Sequence, residues 1–191
     1  MEGIKNNIVV DWTTLFDPLE VDNSPWEEDP VDFKTFTESK DFLNHFALSE
    51  VQYDELNKLL GDNPKDIFDT SKRKFREAAL LWGKGSGKGT CAAIVATYVM
   101  YILLCLKNPH LYFGVADQDT IHFVNVAMSM SQSGELFKRI SSRFTTNKWF
   151  LEKYRILERG KVLLKSNTGA TQTIKIGNGT IEFPKNLAMM C

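Results

Sequence analysis

The residues best suited to chemistry lie together at Gly83-Lys-Gly-Ser-Gly-Lys-Gly-Thr90, where four glycines alternate with two lysines and two hydroxyls. Such a run lets backbone N–H groups turn inward around phosphate oxygens, and a helix starting at its end adds a favourable dipole. Lys88 has the place from which a compact charge reaches the β- and γ-phosphates of a nucleoside triphosphate. Lys84, a second base inside the loop, could face the γ-phosphate. These positions predict catalytic roles for Lys88 and Lys84, and ATP binding by Gly83, Lys84, Gly85, Ser86, Gly87, Lys88, Gly89 and Thr90. The usual pattern is G-x-x-x-x-G-K-[ST], but Trp82 stands six residues before Lys88, and Gly89 follows it. Thr90 is then the best Mg²⁺ ligand, with Ser86 behind it. The competing reading is a glycine-rich surface turn.

Other candidates are further from the loop. Gln52 could contact adenine, but Ser49-Glu-Val-Gln52 also has the form of a capping box at a helix start. Arg76 could lie near the nucleotide or be solvated. Leu111-Tyr-Phe-Gly-Val-Ala-Asp117 is an apolar run ending in Asp, the form of a Walker B strand, although another strand signal follows almost at once. No other apolar run ends in a suitable Asp-Glu pair. Lys138, Arg139 and Arg143, or Arg155 and Arg159, could face nucleic-acid phosphates; a solvated helix face explains them equally well.

The elements that must position the loop follow from periodicity. Glu77–Trp82 reads as a short buried strand, Cys91–Leu106 as a long apolar helix, Ile121–Ala127 as a second buried strand, and Ser131–Phe144 as an amphipathic helix. Strand, loop, helix, strand, helix predicts an α/β fold with a P-loop NTPase-type parallel sheet and crossover helices. A helical N-terminal segment precedes it: residues 32–47, with Phe33, Phe36, Phe42 and Phe46 toward the core, and a helix after Ser49 carrying Leu56, Leu59 and Leu60. Val162–Leu164 supplies another strand, and Asn178-Gly179 is the turn of a hairpin over Thr173–Phe183. Leu187–Cys191 is apolar with no closing element after it, which reads as an incomplete domain, truncated before Walker B. The expected division is an acidic arm and helical segment at 1–70 and a P-loop ATPase domain at 71–191.

Composition bounds the reading. The chain has 191 residues, 43% hydrophobic and 25% charged, as in a soluble globular protein. Its net charge of −1 hides an asymmetry, with residues 1–70 strongly acidic and residues 71–191 strongly basic. Either the basic half takes a polyanion, or the acidic segment docks on it. Cys91–Leu106 is uncharged but shorter than the roughly 20 residues of a spanning helix, so a buried crossover helix is expected and no membrane. Three cysteines without paired or metal-ligand spacing suit a reducing, cytoplasmic setting.

Leu80-Leu-Trp-Gly-Lys-Gly-Ser-Gly-Lys88 resembles the deviant Walker A motif of the large terminase subunit of tailed bacteriophages, with Lys84 at its early basic position. Leu48–Gln52 is similar to the segment before that family's motor domain, and Phe123–Gln132 to the strand and turn after its phosphate-loop helix. The resemblance implies an ATPase that uses Mg²⁺ and threads double-stranded viral DNA into a procapsid. Its partners would be the portal protein and the small terminase subunit. It would be a homo-oligomer when full length, working in the host cell cytoplasm and transiently at the portal. The Walker B strand, coupling motif and nuclease domain of that family are not visible in the sequence, and Gly89 departs from it. A small P-loop phosphotransferase, or a non-hydrolysing nucleotide-binding module of a split motor, are the alternatives.

Overall fold

The computed structural model describes residues 24–46, 48–72, 75, 77–159, 161–163 and 172–190. Its centre is helix α3 (Lys88–Cys105), apolar on every side, as a helix wrapped all round must be. Among the described residues it alone has the length and hydropathy of a membrane span, yet 67% of it is buried within the fold. Helix α1 (Phe33–Glu38) covers one side. Its Phe36 ring stacks on Tyr101 at 4.8 Å and its Phe33 ring meets Tyr98 edge-on at 5.2 Å. Helix α5 (Met130–Thr146) packs along another side through the fully buried Ile140 and Phe144. Phe144 continues the core to the sheet, meeting Phe183 at 5.0 Å.

Helix α2 (Glu50–Leu60) starts on the capping box expected from the sequence. Ser49 Oγ accepts from the Gln52 amide and the Gln52 side chain accepts from the Ser49 amide. Leu56 and Leu60 anchor it in the same core as α1 and α3. The helical reading of residues 32–47 was too long. The α1 helix ends at Glu38, Asn44 takes a left-handed φ of 46°, and Phe46 is 91% exposed instead of buried.

Six strands form one mixed sheet: β1 (Ile121–Val124), β2 (Arg155–Glu158), β3 (Lys161–Leu163), β4 (Thr173–Ile176), β5 (Thr180–Phe183) and β6 (Leu187–Met190). Their spatial order is β1-β6-β5-β4-β2-β3. Only the β1–β6 and β2–β4 pairs are parallel, so the class is α/β as expected while the sheet is not wholly parallel. The pairs β2–β3, β4–β5 and β5–β6 are antiparallel, and two tight turns account for the last two. The Asn178-Gly179 turn, with Gly179 at φ 72°, joins β4 to β5, and Lys185 and Asn186, both at positive φ, turn β5 into β6. One sheet face holds Ile174, Ile176, Ile181 and Phe183 in the core, and the other presents Lys175 and Glu182. Helix α6 (Lys148–Lys153) leads into β2.

Three expected strands differ from what forms. Glu77–Trp82 pairs with no strand among the described residues, and Leu81 is 95% exposed. An apolar run becomes a buried strand only where neighbours can take up its backbone groups, and none of the described strands flanks it. Ile121–Ala127 shortens to β1, an edge strand with a single neighbour, which leaves Val124 and Val126 in the open. Leu111–Asp117 is no strand. Asn108 caps and Pro109 begins a short helix, α4 (Pro109–Phe113), and Gly114 at φ 67° ends it.

Lys185 fixes the direction of these parts. Its ammonium donates to the Leu104 and Leu106 carbonyls at the C-terminal end of α3 and to the Glu27 carboxylate, where a cation is favoured by the helix dipole. The neighbouring Asn186 carbonyl accepts from the Ile121 amide at 3.0 Å. Strand β1 therefore starts at the C-terminal end of α3 and runs toward the end where α3 begins. The carboxyl end of a strand and a helix N-terminus face one way, the usual position of a ligand in an α/β sheet.

Part of the charge asymmetry is internal. Glu27 pairs with Lys185, Glu28 with Lys153 at 2.8 Å, and Asp41 with Lys148, so the acidic segment docks on the basic half. Glu28 also accepts from the Trp149 indole at 2.6 Å.

Candidate phosphate-loop site

Residues 83–87 lead straight into α3, with Gly87 as its N-cap and no side chain capping the first turn. The N–H groups of that turn therefore lack the side-chain acceptor that a Ser, Thr or Asp cap supplies. Two glycines are needed for the shape. Gly85 and Gly87 sit at φ 84° and 79°, a region side chains adopt at a cost of about 1–2 kcal/mol. At Gly87 a Cβ would also lie 3.1 Å from the Gln52 amide nitrogen. Inside the loop, Ser86 Oγ donates to the Gly83 carbonyl at 2.8 Å.

Lys88 is the first residue of α3, and its ammonium bends back over the loop to the carbonyls of Trp82 and, at 3.2 Å, Gly83. These neutral acceptors hold the cation beside a cavity of about 510 Å³ lined by Gly83–Thr90 and Arg139. Lys84 also lines it and has no hydrogen bond or ion pair among the described residues. Among the described residues no carboxylate lines the cavity. Acidic side chains among these residues pair with Lys148, Lys153 and Lys185 and none stands at this corner, and a compact cluster of cations at an uncapped helix N-terminus is suited to an anion.

Every loop residue expected to bind phosphate thus lies around one cavity: Gly83, Lys84, Gly85, Ser86, Gly87, Lys88, Gly89 and Thr90. Thr90, the expected Mg²⁺ ligand, accepts a long hydrogen bond from Arg139 Nη1 at 3.5 Å. As the cavity-lining hydroxyl on α3, with no carboxylate beside it among the described residues, Thr90 could give Mg²⁺ one protein ligand; phosphate oxygens and water would fill the remaining positions.

Gln52 is beside the loop, as the sequence suggested, with both ends of its amide already engaged. Its Nε2 donates to the Ser86 carbonyl at 2.9 Å, while Oε1 accepts from the Ser49 amide at 3.0 Å. The side chain is a strut from the start of α2 to the phosphate loop, and contact with adenine would cost these two bonds. A second hollow, of about 710 Å³, lies on this side of the loop between Ser49, Val51, Gln52, Leu81 and Trp82.

Asp117 is not a Walker B carboxylate. It accepts from Asn108 Nδ2 at 3.4 Å, and its carbonyl accepts from Asn186 Nδ2, which places it at the C-terminal end of α3. Eighteen helical residues separate that end from the loop, about 27 Å. Arg76 lies outside the described residues. Lys138 pairs with Glu135 at 3.6 Å on the exposed face of α5, and Arg155 is exposed on β2.

Arg139 is the residue that the sequence placed elsewhere. It neighbours the buried Ile140, which seats α5 against α3 and carries the guanidinium to the loop. One turn on, Arg143 Nη1 donates to the Arg139 carbonyl at 2.9 Å, and its Nε is buried without a partner. Burial, and then the charge of Arg139, hold the Arg143 guanidinium below its ordinary pKa. Burial pushes the nearby Cys91 thiol up, so it stays neutral and unreactive.

Comparison with known proteins agrees with the loop geometry. Residues 9–191 match the family described as the N-terminal P-loop domain of uncharacterized protein MJ0330. No curated protein matches the chain, and no solved structure does. A P-loop domain is a nucleotide-binding unit, usually with Mg²⁺, and the cavity at the start of α3 is where its phosphates would rest. With the match covering nearly the whole chain, the protein belongs to the family of MJ0330 N-terminal P-loop domains.

Proposed function

We propose that the protein binds the triphosphate of ATP at Gly83–Thr90 and acts as the nucleotide-binding part of an ATPase. The observation that carries this reading is the uncapped N-terminus of α3 with Lys84, Lys88 and Arg139 around it and no lining carboxylate among the described residues. Loop amides take the phosphate oxygens, and Lys88 exchanges the carbonyls of Trp82 and Gly83 for the β- and γ-phosphates. Thr90 would hold Mg²⁺, which when bound would supply neutralisation of the phosphate charge. Base and ribose lie on the Val51, Leu81 and Trp82 side, with Gln52 holding the loop in place. Hydrolysis in such sites is positioning and charge stabilisation.

The finer reading is an ATP-driven DNA-packaging motor. It rests on the resemblance of residues 80–132 to large terminase subunits, with Lys84 at the early basic position. Double-stranded viral DNA, a portal and a small terminase subunit would then be the partners, in the host cell cytoplasm. A second reading is a nucleotide-binding module that does not hydrolyse; among the described residues no carboxylate lines the cavity to orient water. Phosphate release from Mg-ATP, with and without double-stranded DNA, separates them. Turnover that DNA stimulates and Lys88→Ala abolishes supports the motor. Nucleotide binding with no turnover under either condition supports the module.

A further inference from the structure

Arg139 is the one cation at the cavity that comes from outside the loop and α3. Its Nη1 is 3.5 Å from Thr90 Oγ1, and its Nε would be 3.9 Å from a Cβ at Gly89, so the guanidinium overlies the first turn of α3. Ile140 and Phe144, both fully buried, lock α5 against α3 and fix the height of Arg139 above that turn. No carboxylate pairs with Arg139 among the described residues, and its strongest partner is a neutral hydroxyl at the limit of hydrogen-bonding distance. Behind it, Arg143 holds the Arg139 carbonyl and has a buried Nε with no partner, so a second guanidinium adds charge that no carboxylate among the described residues pairs with. Arginine presents a planar fork of donors that matches phosphate oxygens, which a hydroxyl satisfies poorly.

Lys88 and Arg139 approach the cavity differently. Lys88 reaches it over the Trp82–Gly83 side of the loop, whereas Arg139 stands at Thr90. In a phosphate loop the amides cradle the inner phosphates, the lysine reaches the β- and γ-phosphates, and the hydroxyl beyond it holds the metal. A third phosphate would therefore rest between Lys88 and the Thr90 side, where Arg139 stands.

We propose that Arg139 binds the terminal phosphate of a nucleoside triphosphate within the same chain, and so makes the site prefer triphosphate over diphosphate. The proposal rests on the nucleotide-binding reading above and names the phosphate that one side chain recognises. Arg139 leaves Thr90 when the triphosphate arrives, which frees the hydroxyl for Mg²⁺. Because α5 carries the guanidinium, the helix is the element that registers which nucleotide is bound.

The test is calorimetric titration of the full chain with Mg-ADP and with the Mg complex of a non-hydrolysable ATP analogue. The native protein is compared with Arg139→Ala, Arg139→Lys and the exposed control Lys138→Ala. The native chain and Lys138→Ala should bind the triphosphate about tenfold or more tightly than the diphosphate, the scale of one hydrogen bond to a charged group. Arg139→Ala should bring that ratio close to one with diphosphate affinity nearly unchanged, and Arg139→Lys should keep part of it. Equal weakening of both nucleotides, or an unchanged ratio, overturns the role of Arg139. A native chain that binds neither nucleotide overturns the underlying phosphate-loop reading, a different and recognisable result.

Discussion

Gln52 separates two accounts of how the loop is built, because a strut and a base reader respond differently to substitution. In Gln52→Ala two hydrogen bonds go: Ser49 N to Oε1 at 3.0 Å and Nε2 to the Ser86 carbonyl at 2.9 Å. Each is worth roughly 0.5–1.5 kcal/mol net, so the loss is about 1–3 kcal/mol, toward the lower end because the side chain is only half-buried. In Gln52→Glu the capping box survives, since Glu serves at that position as well as Gln. The donor to Ser86 does not, and about 1 kcal/mol is lost. Urea denaturation measures both changes, and titrations with Mg-ATP and Mg-GTP measure the loop. A strut predicts that both variants weaken ATP and GTP alike, since the phosphates are shared and the base is not involved. Weakened ATP binding with intact GTP binding and unchanged stability in Gln52→Ala would refute the strut and restore the adenine contact.

Two further outcomes are expected. A Cβ at Gly89 would lie 3.9 Å from Arg139 Nε, an ordinary contact at a position without positive φ; Gly89→Ser should therefore fold normally and tighten Mg²⁺-dependent ATP binding by several-fold, read by titration with and without Mg²⁺. Lys185→Met removes a largely buried cation from the half-exposed Glu27 and from two α3 carbonyls and should cost about 2 kcal/mol in urea unfolding, less than a fully buried pair because solvent screens Glu27. That variant also has a pH signature. Burial works to raise the Glu27 carboxyl, but the Lys185 hydrogen bond and charge, with Lys153, outweigh it and hold the group below its ordinary value. A depressed carboxyl stabilises the fold above its unfolded pKa, and that contribution is lost as pH falls through the folded one. The native chain should therefore lose stability across the acid range below neutral carboxylate values, and Lys185→Met should lose less there.

The parts legible in the sequence were those set by local chemistry. The Ser49–Gln52 capping box, the Asn178-Gly179 turn and the all-apolar α3 each carry their cause within a few residues. What escaped depended on neighbours. Glu77–Trp82 has the composition of a buried strand, but its pairing is decided by which strands stand beside it. The 111–117 run has the composition of a Walker B strand, but Asn108 and Pro109 upstream cap and start a short helix through it. Arg139 shares its charge and helical spacing with Lys138 and Arg143, and only the packing of Ile140 on α3 distinguishes the residue at the loop from the one facing Glu135. The return of β5 into β6 follows from the left-handed pair Lys185-Asn186, which no short-range signal marks as a hairpin turn.

The central claim is that the start of α3 holds a nucleotide phosphate, and titration of the full chain with Mg-ATP, native against Lys88→Ala, tests it most directly. The account predicts saturable one-to-one binding by the native chain and its loss in a variant that unfolds at the same urea concentration. Equal binding by both chains, or none by the folded native chain, would contradict it.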